Sequence, residues 1–160
     1  VLSPTPHAAP LARLAGWGSS SSGSEPWQYP RDPDALVAAC HQALGAAGIG
    51  PLDVDLVMSV TNGIPYLGAL ELATLQEVLG DHRPAVLSLG ERFGEGGFAS
   101  ALRPLVAALV LSGRVMPTWA PPPHLTDAGY PSLAARPRCA LVTAMAGGGS
   151  CLAVILTAVN

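Results

Sequence analysis

The chain has 160 residues, 49% hydrophobic and 12% charged, with a net charge of -3 and a mean hydropathy of +0.39. That is ample apolar surface for one packed core, and it excludes a disordered chain. Nucleic-acid binding lacks a basic footprint, and the longest apolar runs, such as 105–111, fall short of the ~20 residues a membrane span needs. All eight basic residues are arginine, so Schiff-base chemistry on a lysine is excluded.

Taken in order, residues 1–10 carry three prolines and read as an extended arm. Residues 11–18 form a strand ending in glycine, followed by a polar loop over 19–33. The clearest helix runs over 34–48, with Leu36, Val37, Cys40, Ala43 and Leu44 at helical spacing. Asp32 or Asp34 is placed to cap it, and Gly48 to stop it. Residues 56–61 form a short apolar strand, 69–79 a second helix closed by Gly80, and 85–89 another buried strand. The glycine-rich turn GERFGEGG at 90–97 leads into a third helix that runs to about Leu111 and is apolar nearly all round. Such a helix is covered on every side; Pro104 belongs in its first turn or kinks it. A proline-rich connection spans 119–138. Two apolar strands, 139–146 and 151–159, are joined by GGGS and read as a hairpin. The order β-α-β-α-β-α-β-β predicts an α/β fold, with helices on both faces of a five-stranded, mostly parallel sheet.

Cys40, Cys139 and Cys151 have no CxxC spacing and no histidine near enough for zinc. They read as buried, reduced thiols of a cytoplasmic protein. The start shows no basic region followed by an apolar stretch, so no signal peptide is expected. The chain begins at Val1, and the expectation is a processed product or a piece of a longer chain. His7, His41, His82 and His124 offer no metal-ligand spacing, so no metal and no cofactor is expected. GEGG before a helix could cradle a phosphate, but no lysine or ribose-binding acid accompanies it. Glu71, Glu91 and Glu95 read as solvated or capping carboxylates, and the serines at 19–24 have neither a GxSxG setting nor a base.

Several segments resemble the C-terminal half of a β-ketoacyl synthase, in the thiolase fold. They are ARLAGWGSS (12–20), DALVAACHQALGAAGIGPLDVDLV (34–57), GIPYLGALELATLQEVLG (63–80), LVLSGRVMPT (109–118) and ALVTAMAGGGSCLAVIL (140–156). Each is loose alone; their order and spacing together are specific. The GIPxxxxxE pattern at Gly63–Glu71 is most similar to the non-catalytic partner subunits called chain-length factors. The resemblance implies a single domain over 1–160 that lacks the half bearing the family's nucleophilic cysteine.

Departures from the family pattern fall on its catalytic groups. The histidine of the HGT motif aligns with Val60, followed by Thr61 and Asn62. The lysine of KSxxGH aligns with Gly90, and its histidine with Glu95. In the family those histidines stabilise negative charge as malonyl thioester loses carbon dioxide, which requires hydrogen-bond donors. Val60 offers none, and an ionised Glu95 would repel that charge. Glu71 matches the family's acid, with Gly68 at its usual partner position. The FGFGG loop becomes Met145, Ala146, Gly147, Gly148 and Gly149. Met145 and the three glycines are thus the implied substrate-binding residues, glycine letting the backbone approach an acyl chain. Met145 also stands where thiolases carry a second catalytic cysteine.

The resemblance implies a non-catalytic, chain-length-factor-like subunit in polyketide or fatty-acid-type synthesis. Its implied partners are a ketosynthase subunit or the absent N-terminal half, with an acyl carrier protein reached through that partner. A decayed synthase fragment, or an acyl-thioester enzyme using Glu95 as base, stays open. Because Leu102, Leu105, Val106, Leu109, Val110 and Leu111 cannot all face one sheet, the third helix is expected to leave an apolar patch for that partner.

Overall fold

The computed structural model describes residues 9–159 apart from Glu95 and Gly97, so the first eight residues of the arm at 1–10 and the alignment of Glu95 lie outside the described residues. Five strands form one sheet: β1 (Arg13–Ser21), β2 (Leu56–Ser59), β3 (Ala85–Ser88), β4 (Cys139–Met145) and β5 (Ser150–Thr157). Their spatial order is β1-β5-β4-β2-β3. β2 runs parallel to β3 and β4, whereas β5 is antiparallel to both β4 and β1. The sheet is therefore evenly mixed, two parallel and two antiparallel pairings, because β5 returns directly from β4 through a tight glycine turn.

The helices are α1 (Asp34–Ala47), α2 (Pro65–Leu79), α3 (Gly90–Phe93), α4 (Ala99–Leu111) and α5 (Pro123–Asp127). Every residue of β2 is buried, as in a strand covered on both faces. Alternation sends Val57 into the cluster of α1 and α2, with Leu36, Cys40, Leu75, Leu141 and Ile155. Leu56 and Met58 point the other way, into the cluster of α4 with Ala107, Val110, Leu111 and Val142. Two helices on one face and α4 on the other is the arrangement the sequence predicts.

Several boundaries differ from the sequence reading. Ser19, Ser20 and Ser21 continue β1 because they pair with Leu152, Cys151 and Ser150 of β5; the loop starts only at Ser22. α2 begins four residues early, at Pro65, whose fixed φ suits the first helical position. The glycine-rich turn contains the single turn of α3, and the proline-rich connection contains α5. Pro104 is the sixth residue of α4, beyond its first turn. At the start of α1 the cap position is Pro33, and Asp32 instead accepts a bond from the Asp34 N–H at 3.3 Å. Gly48 closes that helix at φ 68°, as predicted.

Packing of β1 on α1 is unusually close. A Cβ on Gly16 would stand 2.6 Å from the Ala47 nitrogen, and one on Gly18 2.6 Å from the Gln42 Cβ. The connection after α4 buries Leu125 and Tyr130 against the α1–α2 layer and Leu133 against the α4 layer. Between them the Pro131 carbonyl accepts the Val86 N–H at 3.1 Å, which covers the edge of β3.

Candidate functional site

In open α/β sheets, ligands bind beyond the carboxyl ends of the strands. At that end, β2 runs out at Ser59 and is followed by Val60 and Thr61, which meet Glu71 from the second turn of α2. Glu71 is fully buried. Its Oε1 accepts the Val60 N–H at 2.8 Å. Its Oε2 accepts the Ser59 hydroxyl at 2.7 Å and the Thr61 hydroxyl. Ser59 Oγ in turn accepts the Thr61 N–H at 3.2 Å. One buried carboxylate thus satisfies three donors of a single turn. Arg103 of α4, also buried, donates to the Val60 carbonyl at 3.2 Å.

From the connection, His124 of α5 brings Nε2 to 3.7 Å from Glu71 Oε2. The ring fits because residue 68 is glycine: a Cβ there would lie 3.1–3.3 Å from three imidazole atoms. An apolar pocket of about 410 Å³ opens beside it, lined by Ile64, Pro65, Leu72 and Pro123 with Thr61 and His124.

The positions singled out from the sequence separate into three places. Val60 is buried in the Glu71 turn, its only polar groups engaged as described. Gly90 starts α3 directly against that turn; a Cβ there would clash with the Thr61 carbonyl and stand 2.9 Å from the Asn62 Cα. No lysine side chain can leave that point without moving the backbone. Gly147, Gly148 and Gly149 form a 3₁₀ turn after β4. Their backbone approaches the chain's own segment 22–28: the Gly148 N–H donates to the Gln28 carbonyl at 3.0 Å, and a Cβ on Gly147 would lie 2.7 Å from the Pro26 carbonyl oxygen. Met145 is half-buried against the α1–α2 layer.

The thiols are poor nucleophiles. Burial, reinforced by Cys151 and Glu71, pushes Cys40 up to about 12. Burial likewise pushes Cys151, in β5, and Cys139, in β4, each up to about 11. Among the described residues, no group of three or more histidines, cysteines and acids is placed to hold a metal. No helix among them is long and apolar enough to cross a membrane.

Ser59, Arg103 and the pairing of His124 with Glu71 escaped the sequence reading. Fifty-odd positions separate His124 from Glu71, and only the spatial return of α5 onto α2 joins them. A glycine facing a histidine carries no signal in one sequence.

Residues 11–120 match the family described as beta-ketoacyl synthase, C-terminal domain. The chain belongs to that family. A curated relative, putative polyketide beta-ketoacyl synthase 2 of Streptomyces halstedii, is 30% identical over 155 residues, covering 91% of this chain and 36% of the relative. This ketosynthase C-terminal domain therefore spans about a third of the length of the curated relatives it matches first. Among solved structures, the ishigamide ketosynthase/chain length factor superposes with a TM-score of 0.78 at 22% identity, over 94% of this chain and 38% of the other. A type II polyketide synthase acyl-carrier protein in complex with its ketosynthase bound to the hexaketide gives 0.79 at 23% identity, over 93% and 39%. At these identities the structural likeness establishes the fold: the thiolase-like α/β arrangement of ketosynthases.

Proposed function

We propose that this ketosynthase C-terminal domain is a non-catalytic, chain-length-factor-like half-unit. In this reading it pairs with an N-terminal half and a ketosynthase partner in polyketide assembly, and an acyl carrier protein engages it through that partner. The observation that carries the reading is the Glu71 turn. Where the family places its first histidine stands a buried valine, and where it places its lysine stands a glycine hemmed in by the Thr61 carbonyl. The Ser59 and Thr61 hydroxyls of that turn are already spent on Glu71, so neither is free to donate to a developing oxyanion. Met145 and the glycine turn 147–149 are proposed to border the acyl chain once the N-terminal half is present.

The test is decarboxylation of malonyl thioesters, measured on the chain alone and in complex with an N-terminal half and a ketosynthase. Alone it should show no turnover above background, since loss of a single oxyanion donor typically costs about 100- to 1000-fold. In the complex, turnover should depend on the partner's nucleophile and persist when Val60 is changed to alanine. Turnover by the isolated chain that vanishes in Glu95→Gln would instead establish an altered acyl-thioester enzyme.

A further inference from the structure

His124 is held in an arrangement that the proposed function does not use. Its Nε2 is buried, lacks a hydrogen-bond partner, and faces the Glu71 carboxylate at 3.7 Å. That is slightly beyond hydrogen-bond range and closes with a small ring movement. The two nitrogens of an imidazole point to different sides of the ring, and a carboxylate facing one of them selects the tautomer that carries its proton there. Nδ1 is then left as an acceptor. It makes no hydrogen bond to any described residue, and it lies 3.2 Å from the point a Cβ on Gly68 would occupy, on the wall of the 410 Å³ pocket.

Apart from Thr61, whose hydroxyl is taken by Glu71, the other side chains of the wall are aliphatic: Ile64, Pro65, Ala69, Leu72 and Pro123. A pocket of this size lies within the range of small-molecule sites, which combine apolar walls with a few orienting polar groups. No arginine lines it, and an anionic ligand would sit near the Glu71 carboxylate. The carboxylate itself is turned inward, its oxygens taken by Ser59, Val60 and Thr61, so an ammonium group would be buried without reaching it. We propose that the pocket between α2 and α5 binds a neutral, apolar alcohol, whose hydroxyl donates to His124 Nδ1 while its hydrocarbon part packs on the aliphatic wall. Glu71 is the positioning residue, fixing the imidazole tautomer, and Gly68 is the residue that admits the ring.

The experiment uses the full chain labelled on its histidines, with an unlabelled partner where solubility needs one. His124 is assigned by the loss of its signal in His124→Phe, and 1-hexanol, hexanoate and hexylamine are titrated in turn. Saturable movement of the His124 Cε1–H signal by hexanol, with at least about tenfold weaker effects from the charged pair, is expected. In His124→Phe the hydrocarbon wall is kept and the acceptor lost, so hexanol affinity should fall about two- to tenfold, the worth of one net hydrogen bond. Gly68→Ala, which crowds the ring, should weaken hexanol similarly while the chain keeps its circular dichroism spectrum. Equal binding of hexanoate, no saturable shift at all, or hexanol affinity unchanged in a folded His124→Phe would each overturn the assignment.

Discussion

Glu71 shows what one buried acid does at the end of a parallel strand. Its two oxygens hold an amide and two hydroxyls from three successive residues, 59–61, so removing it strands the buried Val60 N–H and leaves the two hydroxyls, 2.6 Å apart, only each other. Glu71→Ala should therefore cost about 3–5 kcal/mol, as when a buried charged network loses one member. Glu71→Gln, which retains one carbonyl acceptor, should lose roughly half of that. Denaturant midpoints of the two variants measure the difference; equal midpoints would show that the turn is held by other contacts. The thiols give a second residue-scale expectation, on the alkaline side. Their folded-state values lie above the ordinary 9.0, with Cys40 at about 12 and Cys139 and Cys151 at about 11. Between pH 9 and these values the unfolded chain releases protons that the folded chain keeps, so stability is full below pH 9 and falls as pH rises. Cys40→Ser should flatten the part of that decline nearest pH 12, as read from melting temperature against pH.

At the scale of elements, the join between β1 and α1 depends on two glycines. Gly16 and Gly18 alternate with the exposed Trp17, so both face α1. The backbone lies so close to Ala43, Ala47 and Gln42 that a single methyl group has no room. Gly18→Val should destabilise by about 3 kcal/mol, the upper end of overpacking costs, whereas Gly23→Val in the open loop meets nothing within 4 Å and strains only its positive φ. Thermal unfolding of the pair tests whether packing or backbone conformation governs. These contacts also mark what the sequence could convey. Helical spacing in α1 and the run of β2 are local patterns, and both elements lie where that pattern places them. The serines at 19–21 read as loop because their composition is polar, yet strand pairing with 150–152 supplies a reason that composition lacks. Alignment of neighbouring residues drew attention to Val60, Gly90 and Glu71, but Glu71 reads as a solvated or capping carboxylate in the sequence and is instead fully buried in the turn after β2. The partnership of Glu71 with His124, and of Val60 with Arg103, depends on elements that meet only after folding.

Across the whole molecule the two faces of the sheet are unequal. The α1–α2 face is covered along its length, while α4 alone lies across the other. α4 itself is split: Val110 and Leu111 are buried, Leu102, Val106 and Leu109 are half-buried, and Leu105 is 51% exposed. Trp17 of β1 and Leu152 of β5 alternate with residues that face α1, so they open on the α4 side, at 59% and 42% exposure. Phe98 at the start of α4 adds a further exposed ring. Apolar exposure on this scale marks a surface that associates. Covering about 400 Å² of it at roughly 25 cal/mol per Å² is worth about 10 kcal/mol before association costs, comparable to the stability of a whole domain. The isolated chain should therefore self-associate and bind a hydrophobic dye, and co-expression with an N-terminal half should yield a soluble complex that does not. Leu105→Asp combined with Trp17→Asp should abolish that complex and relieve self-association, because both side chains lie outside the buried clusters. Leu109→Asp adds a cost to the fold itself, since that residue is half-buried. A well-behaved monomer at high micromolar concentration, silent to the dye and indifferent to Leu105→Asp, would show that the open face needs no partner.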